Sequence, residues 1–109
     1  MFDFLKTKKN YEDVSAVTFN RLMSETNGII LDVRTPAEFK QSGIDGAINI
    51  DSMGSDFAKK IEELDKSKTY FVYCRSGNRS GSVCKLMGNV GFENLYNLSG
   101  GLMRWPFLK

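Results

Sequence analysis

The stretch Tyr-Phe-Val-Tyr-Cys-Arg-Ser-Gly-Asn-Arg-Ser, residues 70–80, places a thiol between an apolar run and a helical pattern. The apolar run predicts a buried strand, so Cys74 would lie at its carboxyl end, where open α/β sheets bind ligands. The loop that follows, together with the next helix N-terminus, can surround an anion with backbone N–H groups. Such an environment favours the thiolate over the thiol. The sequence therefore predicts Cys74 as a catalytic nucleophile.

The residues that follow Cys74 supply groups suited to an anionic substrate. Small residues offer their backbone N–H groups, and Gly77 also permits a positive φ angle. Each arginine adds positive charge if its side chain points inward, and the alternative is that it lies in solvent. Ser80 is placed to cap the following helix while facing the loop. The predicted substrate-binding residues are Arg75, Ser76, Gly77, Asn78, Arg79 and Ser80.

The composition excludes several other kinds of chemistry. The chain has no histidine, so it lacks a Cys-His pair, a Ser-His-Asp triad and imidazole metal ligands. Its two cysteines match neither the C-x-x-C redox motif nor a zinc knuckle. We therefore expect no metal and no organic cofactor. Cys84 follows Val83 on the predicted buried face of a helix, which favours a core role, although a disulfide with an oxidised Cys74 is the alternative.

Size, charge and hydropathy describe one small soluble domain. The 109 residues suffice for one domain, and a net charge of +2 gives no strong attraction to nucleic acid or to an acidic membrane. No apolar run approaches the roughly 18–20 residues of a membrane span. We expect a cytoplasmic protein without a nucleic-acid partner. Residues 1–10 are predicted to be an N-terminal extension, and residues 11–109 the domain itself.

Strand and helix signals alternate along the whole chain. Ser15 and Ser55 suit N-cap positions, and Thr35 with Glu38 predicts a capping box around Pro36. The clearest helical periodicity begins near Ser80. Alternation of this kind predicts an α/β fold with a mostly parallel central sheet of about five strands and helices on both faces.

A second polar pair is predicted beside the cysteine loop. Asp32 and Arg34 follow the buried run Ile29–Leu31, so they lie at the carboxyl end of a neighbouring strand and should edge the same pocket. The residues themselves are consistent with a local pair that holds the start of the Thr35 helix, which leaves room for a further role at the pocket.

Separated blocks of the chain resemble single-domain rhodaneses. The resemblance runs from about Tyr11 to Trp105. The blocks are Leu31–Phe39, Gly46–Ile50, Tyr73–Ser80 and Gly91–Gly101 with Trp105.

This resemblance implies sulfur transfer. Cys74 would take a sulfur atom from a small anionic donor such as thiosulfate, hold it as a persulfide, and pass it to cyanide, a thiol or a protein acceptor. It also implies a supporting role for Asp32 and Arg34. The chain departs from the family at 42–47, Ser-Gly-Ile-Asp-Gly-Ala, where Gly-His-Ile-Pro-Gly-Ala is frequent. That turn must therefore be held by other contacts.

Two other functions are weighed against sulfur transfer. The enzyme alternative is a phosphatase or an arsenate reductase. Phosphatases of the same fold carry Cys-x5-Arg, whereas Cys74 and Arg79 form Cys-x4-Arg, a smaller loop that suits a single sulfur better than a tetrahedral oxyanion. The other alternative is a non-catalytic module that binds a partner or senses redox state. Retention of the cysteine and of both loop arginines favours an enzyme.

Overall fold

The structure, a computed structural model, describes residues 10–107 and contains a five-stranded sheet. All neighbouring strands are parallel, as predicted. The strand order across the sheet is β1-β5-β4-β2-β3, which puts β4 at the centre. In chain order the strands are β1 (Glu12–Val14), β2 (Ile29–Asp32), β3 (Ile48–Asn49), β4 (Thr69–Tyr73) and β5 (Asn94–Leu98).

Helices cover both faces of this sheet. Side chains along β4 alternate between the faces, so Val72 and Cys74 pack with α3 and α4, whereas Phe71 and Tyr73 pack with α1 and Trp105. All four side chains from the central strand and its end are 0% exposed. The predicted two-sided architecture is thus confirmed. The helices are α1 (Ala16–Glu25), α2 (Pro36–Gln41), α3 (Phe57–Glu62), α4 (Asn78–Asn89) and a 3-10 helix, Leu102–Arg104.

The first two helices begin where the sequence predicts. Ser15 is the N-cap of α1, and its hydroxyl accepts a hydrogen bond from the Thr18 amide. Thr35 is the N-cap of α2, with Pro36 in the first turn and Glu38 completing the capping box. A cap of this kind is worth about 1 kcal/mol, so α2 can be stable although it is only 6 residues long.

The predicted starts of α3 and α4 are wrong. Asp56 rather than Ser55 is the N-cap of α3, because the Phe57 amide already closes a turn onto the Gly54 carbonyl. Gly77 is the N-cap of α4 at φ 100°, and its carbonyl accepts the hydrogen bond of the Gly81 amide. Ser80 therefore lies inside the first turn of α4 and does not cap it.

This early start of α4 has a chemical consequence. The first amides of a helix have no partner inside the helix, so they remain available to other acceptors. The Ser80 amide is one of these. Gly81, in the same first turn, is not required there by close packing, since a Cβ would meet its nearest neighbour, the Asn97 side chain, at an ordinary 3.5 Å.

The predicted N-terminal extension lies almost wholly outside the described residues and stays a prediction. Between residues 10 and 107, no helix is long and apolar enough to cross a membrane.

Candidate active site

The Cys74 sulfur lies at the carboxyl end of β4 and accepts several hydrogen bonds from the turn that follows it. The Gly77 amide donates to Sγ at 3.1 Å, and the amide and hydroxyl of Ser80 each donate at 3.3 Å. The Cys74 side chain is 0% exposed, so the turn covers the sulfur. The arrangement is a cradle of donors around one atom, as the strand-loop-helix pattern predicts.

These donors set the charge state of the thiol. Burial opposes ionisation, but the Ser80 hydroxyl and the amides of Ser80, Gly77 and Ser76 stabilise the anion, and the net effect lowers the pKa of Cys74. A lowered pKa increases the thiolate fraction near neutral pH, and the thiolate is the nucleophilic form. The cradle therefore favours the nucleophilic form of this thiol without a separate base.

Ser80 is expected to make the largest single contribution from a side chain to this cradle. Replacing Ser80 by alanine should raise the pKa of Cys74 by roughly one unit, because a hydrogen bond to a charged group is worth about 1.5 kcal/mol. The pH dependence of alkylation by iodoacetamide measures this pKa. Ser82→Ala, in the exposed part of the same helix, should leave it unchanged. A wild-type pKa in Ser80→Ala would show that the hydroxyl does not stabilise the thiolate.

The turn is held from the opposite side by the 3-10 helix. The carbonyls of Cys74 and Arg75 accept hydrogen bonds from the Leu102 and Met103 amides at 2.9 and 3.0 Å. Gly101, at φ 66°, passes so close that a Cβ there would overlap the backbone of Arg75. These contacts orient the carbonyls outward, which leaves the following amides directed at the sulfur.

Substituting Gly101 by alanine should therefore displace the turn. We expect the pKa of Cys74 to return toward its ordinary value and sulfur transfer to fall at least roughly tenfold, with a loss of about 2–4 kcal/mol in the free energy of unfolding. Gly46→Ala is a matched control, since Gly46 has φ 86° but no atom within 4 Å of the added Cβ. It should cost only about 1–2 kcal/mol and leave the thiol unchanged. If the two variants behave alike in alkylation and urea unfolding, Gly101 does not position the turn.

The loop arginines do not both face the sulfur. Arg79 donates from Nη1 and Nη2 to the two carboxylate oxygens of Glu38 at 3.1 and 3.2 Å. The Arg79 side chain therefore lies neither against the sulfur nor freely in solvent, the two orientations that the sequence left open. Arg75 is exposed and forms no ion pair among the described residues. Ser76 and Asn78 are also exposed, and the Ser76 hydroxyl accepts from the Asn78 amide at 3.4 Å.

Asp32 and Arg34 form a buried ion pair. The Arg34 side chain donates to Asp32 Oδ2 from Nη2 at 2.8 Å and from Nε at 3.0 Å, and both residues are at most 4% exposed. Arg34 also donates to the Ser42 carbonyl, and the Asn49 amide group donates to the Arg34 carbonyl at 2.9 Å. The Tyr73 hydroxyl accepts from the Ile44 amide at 3.0 Å. These bonds hold the turn 42–47, which lacks the family's histidine and proline.

The pair thus ties the end of β2 to β3 and to the end of α2. Its further hydrogen-bond partners are Asn49 and Ser42, whereas the hydrogen bonds on the Cys74 sulfur come from the turn and α4. Cys84 is 0% exposed in the core, and burial raises the pKa of its thiol to about 12. That environment fits the predicted core role and leaves the thiol unreactive at neutral pH.

Sequence reasoning recognised Glu38 as a capping residue but missed its pairing with the loop, 41 residues away. A signal was present, because β2 and β4 are neighbouring parallel strands and the residues after each must meet at one edge. Across residues 10–107, no group of three or more His, Cys, Asp or Glu side chains is arranged to hold a metal ion.

Several named proteins are similar to this chain in sequence. A protein of Bacillus subtilis, YtwF, provisionally named a sulfurtransferase, is 43% identical over 76 residues, which are 70% of this chain and 71% of that protein. A protein of Allochromatium vinosum named "Sulfurtransferase" is 29% identical over 94 residues, covering 85% and 86% of the two chains. The tRNA uridine(34) hydroxylase of Pelagibacter ubique is 28% identical over 92% of this chain but only 33% of its own length.

The fold has solved counterparts as well. The crystal structure of a rhodanese-related protein from Thermoplasma volcanium superposes with a TM-score of 0.76 at 28% identity, over 87% of this chain and 90% of that one. A family model described as "Rhodanese-like domain" matches residues 15–106, a range that includes β4, Cys74 and α4. The chain therefore belongs to the rhodanese-like domain family.

Proposed function

We propose that the protein is a sulfurtransferase that carries sulfane sulfur as a persulfide of Cys74. The single observation that supports this most directly is the set of hydrogen bonds that Gly77 and Ser80 donate to the Cys74 sulfur. An anionic sulfur is the species that such donors stabilise. The names of the relatives in Bacillus subtilis and Allochromatium vinosum support the same reaction class.

In the first step the Cys74 thiolate attacks the outer sulfur of a donor such as thiosulfate. A bond forms between Sγ and that sulfur, the sulfur–sulfur bond of thiosulfate breaks, and sulfite leaves with the bonding electron pair. No proton moves, which is consistent with a chain that has no histidine. The product is a persulfide anion, and the donors of the turn can bind its charge in place of the thiolate charge.

In the second step a nucleophilic acceptor attacks the outer sulfur of the persulfide. The sulfur–sulfur bond breaks, its electron pair returns to Sγ, and the thiolate is restored to its cradle. Cyanide leaves as thiocyanate, and an acceptor thiolate leaves as a new persulfide anion. Arg75, Ser76 and Asn78 are exposed at the mouth of the turn, where they are available to meet an anionic donor or the surface of an acceptor.

The rival functions make different use of the site. A phosphatase needs its loop arginine on the transferred oxyanion, whereas the Arg79 guanidinium is bound to Glu38 in a Cys-x4-Arg loop. A module that only binds a partner has no need of a stabilised thiolate, whereas a redox-sensing module also uses one. These observations favour sulfur transfer over a phosphatase and over a module that only binds, and the assay below separates it from a redox sensor.

The test is a steady-state assay of thiocyanate formation from thiosulfate and cyanide, run beside hydrolysis of an aryl phosphate. We expect turnover in the first assay and none above background in the second. Phosphate release without thiocyanate would reverse the assignment. If neither activity appears, a persulfide donor with a thiol acceptor replaces thiosulfate and cyanide, and absence of transfer there would favour a binding module.

A further inference from the structure

Glu38 joins the start of α2 to the cysteine turn. Its Oε1 accepts from the Thr35 amide at 3.0 Å, from the Thr35 hydroxyl at 3.2 Å and from Arg79 at 3.1 Å, and its Oε2 accepts the second Arg79 nitrogen. Both side chains of the Glu38–Arg79 pair are about one-third exposed, at 32% and 33%. One carboxylate thus closes a capping box and also fixes the guanidinium of the helix that supplies the Ser80 donors.

Among the charged side chains of α4, Arg79 is the one that interacts electrostatically with Cys74. Arg79 and the Cys74 thiolate interact electrostatically, and so do Arg79 and Asp32. Asp32 is already neutralised by Arg34, and Cys84 is uncharged near neutral pH. The charged and titratable groups on the elements around the thiol are Arg79 with Glu38, Asp32 with Arg34, Cys84 with Asp13, and the exposed Arg75 that follows the thiol in the chain.

We propose that Glu38 is a positioning residue that fixes the direction of the Arg79 guanidinium beside the cysteine turn and offsets its positive charge. The Cys74 thiolate is then stabilised mainly by the hydrogen bonds that Gly77 and Ser80 donate to its sulfur. Glu38 fixes this direction because a guanidinium that binds both oxygens of one carboxylate cannot rotate without losing a hydrogen bond.

The consequence for chemistry rests on the proposed function. A thiolate that is stabilised too strongly is less nucleophilic, with a Brønsted coefficient of about 0.4–0.5. Glu38 would therefore keep the Cys74 thiolate nucleophilic toward the outer sulfur of the donor.

The test is the pKa of Cys74, measured from the pH dependence of alkylation by uncharged iodoacetamide. In Glu38→Gln the amide retains an oxygen for the cap but loses the negative charge. We expect the pKa of Cys74 to fall by about half a unit, roughly threefold in the thiolate-to-thiol ratio, because Arg79 is no longer neutralised. Salt of about 1 M should shrink this shift. Glu25→Gln, which breaks the exposed pair with Arg21, should cause none.

A second pair of variants tests the same proposal in case Glu38→Gln alone does not fold. In Arg79→Gln the pKa of Cys74 should rise, because the Glu38 charge is then unopposed, and Glu38→Gln added to it should bring the pKa down again. A purely structural role for Glu38 predicts the opposite sign, since a disturbed turn loses donors and raises the pKa. An unchanged or raised pKa in folded Glu38→Gln overturns the proposal.

This measurement does not depend on sulfur transfer. If the pKa shifts as expected but no sulfur is transferred, the proposed function fails and the role of Glu38 stands. If sulfur is transferred normally and the pKa does not fall, only the role of Glu38 fails.

Discussion

Replacing Cys74 by serine is expected to abolish sulfur transfer. The serine hydroxyl fits the same cradle, but it is not ionised at neutral pH and forms no persulfide, so no covalent intermediate can arise. We expect the rate of thiocyanate formation to fall at least about 10³-fold, the scale on which loss of a nucleophile acts. The fold should persist, because the two side chains differ by one atom and the backbone bonds of the turn to Leu102 and Met103 do not involve the sulfur.

Cys84→Ala is the matched control for this variant. Cys84 lies on the buried face of α4, and its thiol pKa of about 12 keeps it protonated. Its loss should cost about 1 kcal/mol of stability and leave the rate within about twofold of wild type. Activity that survives in Cys74→Ser and disappears in Cys84→Ala would move the sulfur carrier to the other thiol.

The second large effect is expected for stability. Replacing Asp32 by alanine leaves the Arg34 guanidinium, which is 4% exposed, without its carboxylate partner. Breaking one side of a buried pair costs about 3–5 kcal/mol, because a buried charge is left uncompensated. The Arg34 amide also loses its bond to Asp32 Oδ1 at 2.8 Å. Urea unfolding measures the loss in the free energy of unfolding.

Glu25→Ala is the control that separates the effect of burial from the loss of an ion pair as such. Glu25 pairs with Arg21 on α1 with both side chains more than half exposed, so the expected loss is about 0.5 kcal/mol or less. Changing Asp32 and Arg34 together to leucine and methionine should recover part of the loss, because no charge is then left alone. Losses of equal size for Asp32→Ala and Glu25→Ala would show that the pair is not buried as described.

The sequence predicted the sheet because its signals are local. Short apolar runs such as Ile29–Leu31 and the Thr35 capping box depend on neighbours within a few residues, and both appear as predicted. The start of α4 depends instead on Gly77 in a left-handed conformation and on amides from the 3-10 helix. Those contacts come from distant parts of the chain, so periodicity placed the start too late.

The prediction of the site also succeeded where the signals were local and failed where distant parts of the chain meet. The position of Cys74 at a strand end was readable from the pattern around it, whereas the direction of Arg79 depends on Glu38, which lies on another element. For Asp32 and Arg34 the sequence left a supporting and a local role open. The contacts with Ser42 and Asn49 show that the pair ties β2 to β3 and to the end of α2, while any effect on sulfur chemistry remains a proposal.

The most direct test of the central claim is the intact mass of the reduced protein after treatment with thiosulfate and removal of the excess. We predict a gain of one sulfur atom in wild type and in Cys84→Ala, no gain in Cys74→Ser, and loss of the added mass on treatment with cyanide. A folded wild-type protein with a free Cys74 thiol that gains no sulfur from thiosulfate or from a persulfide donor would contradict the account.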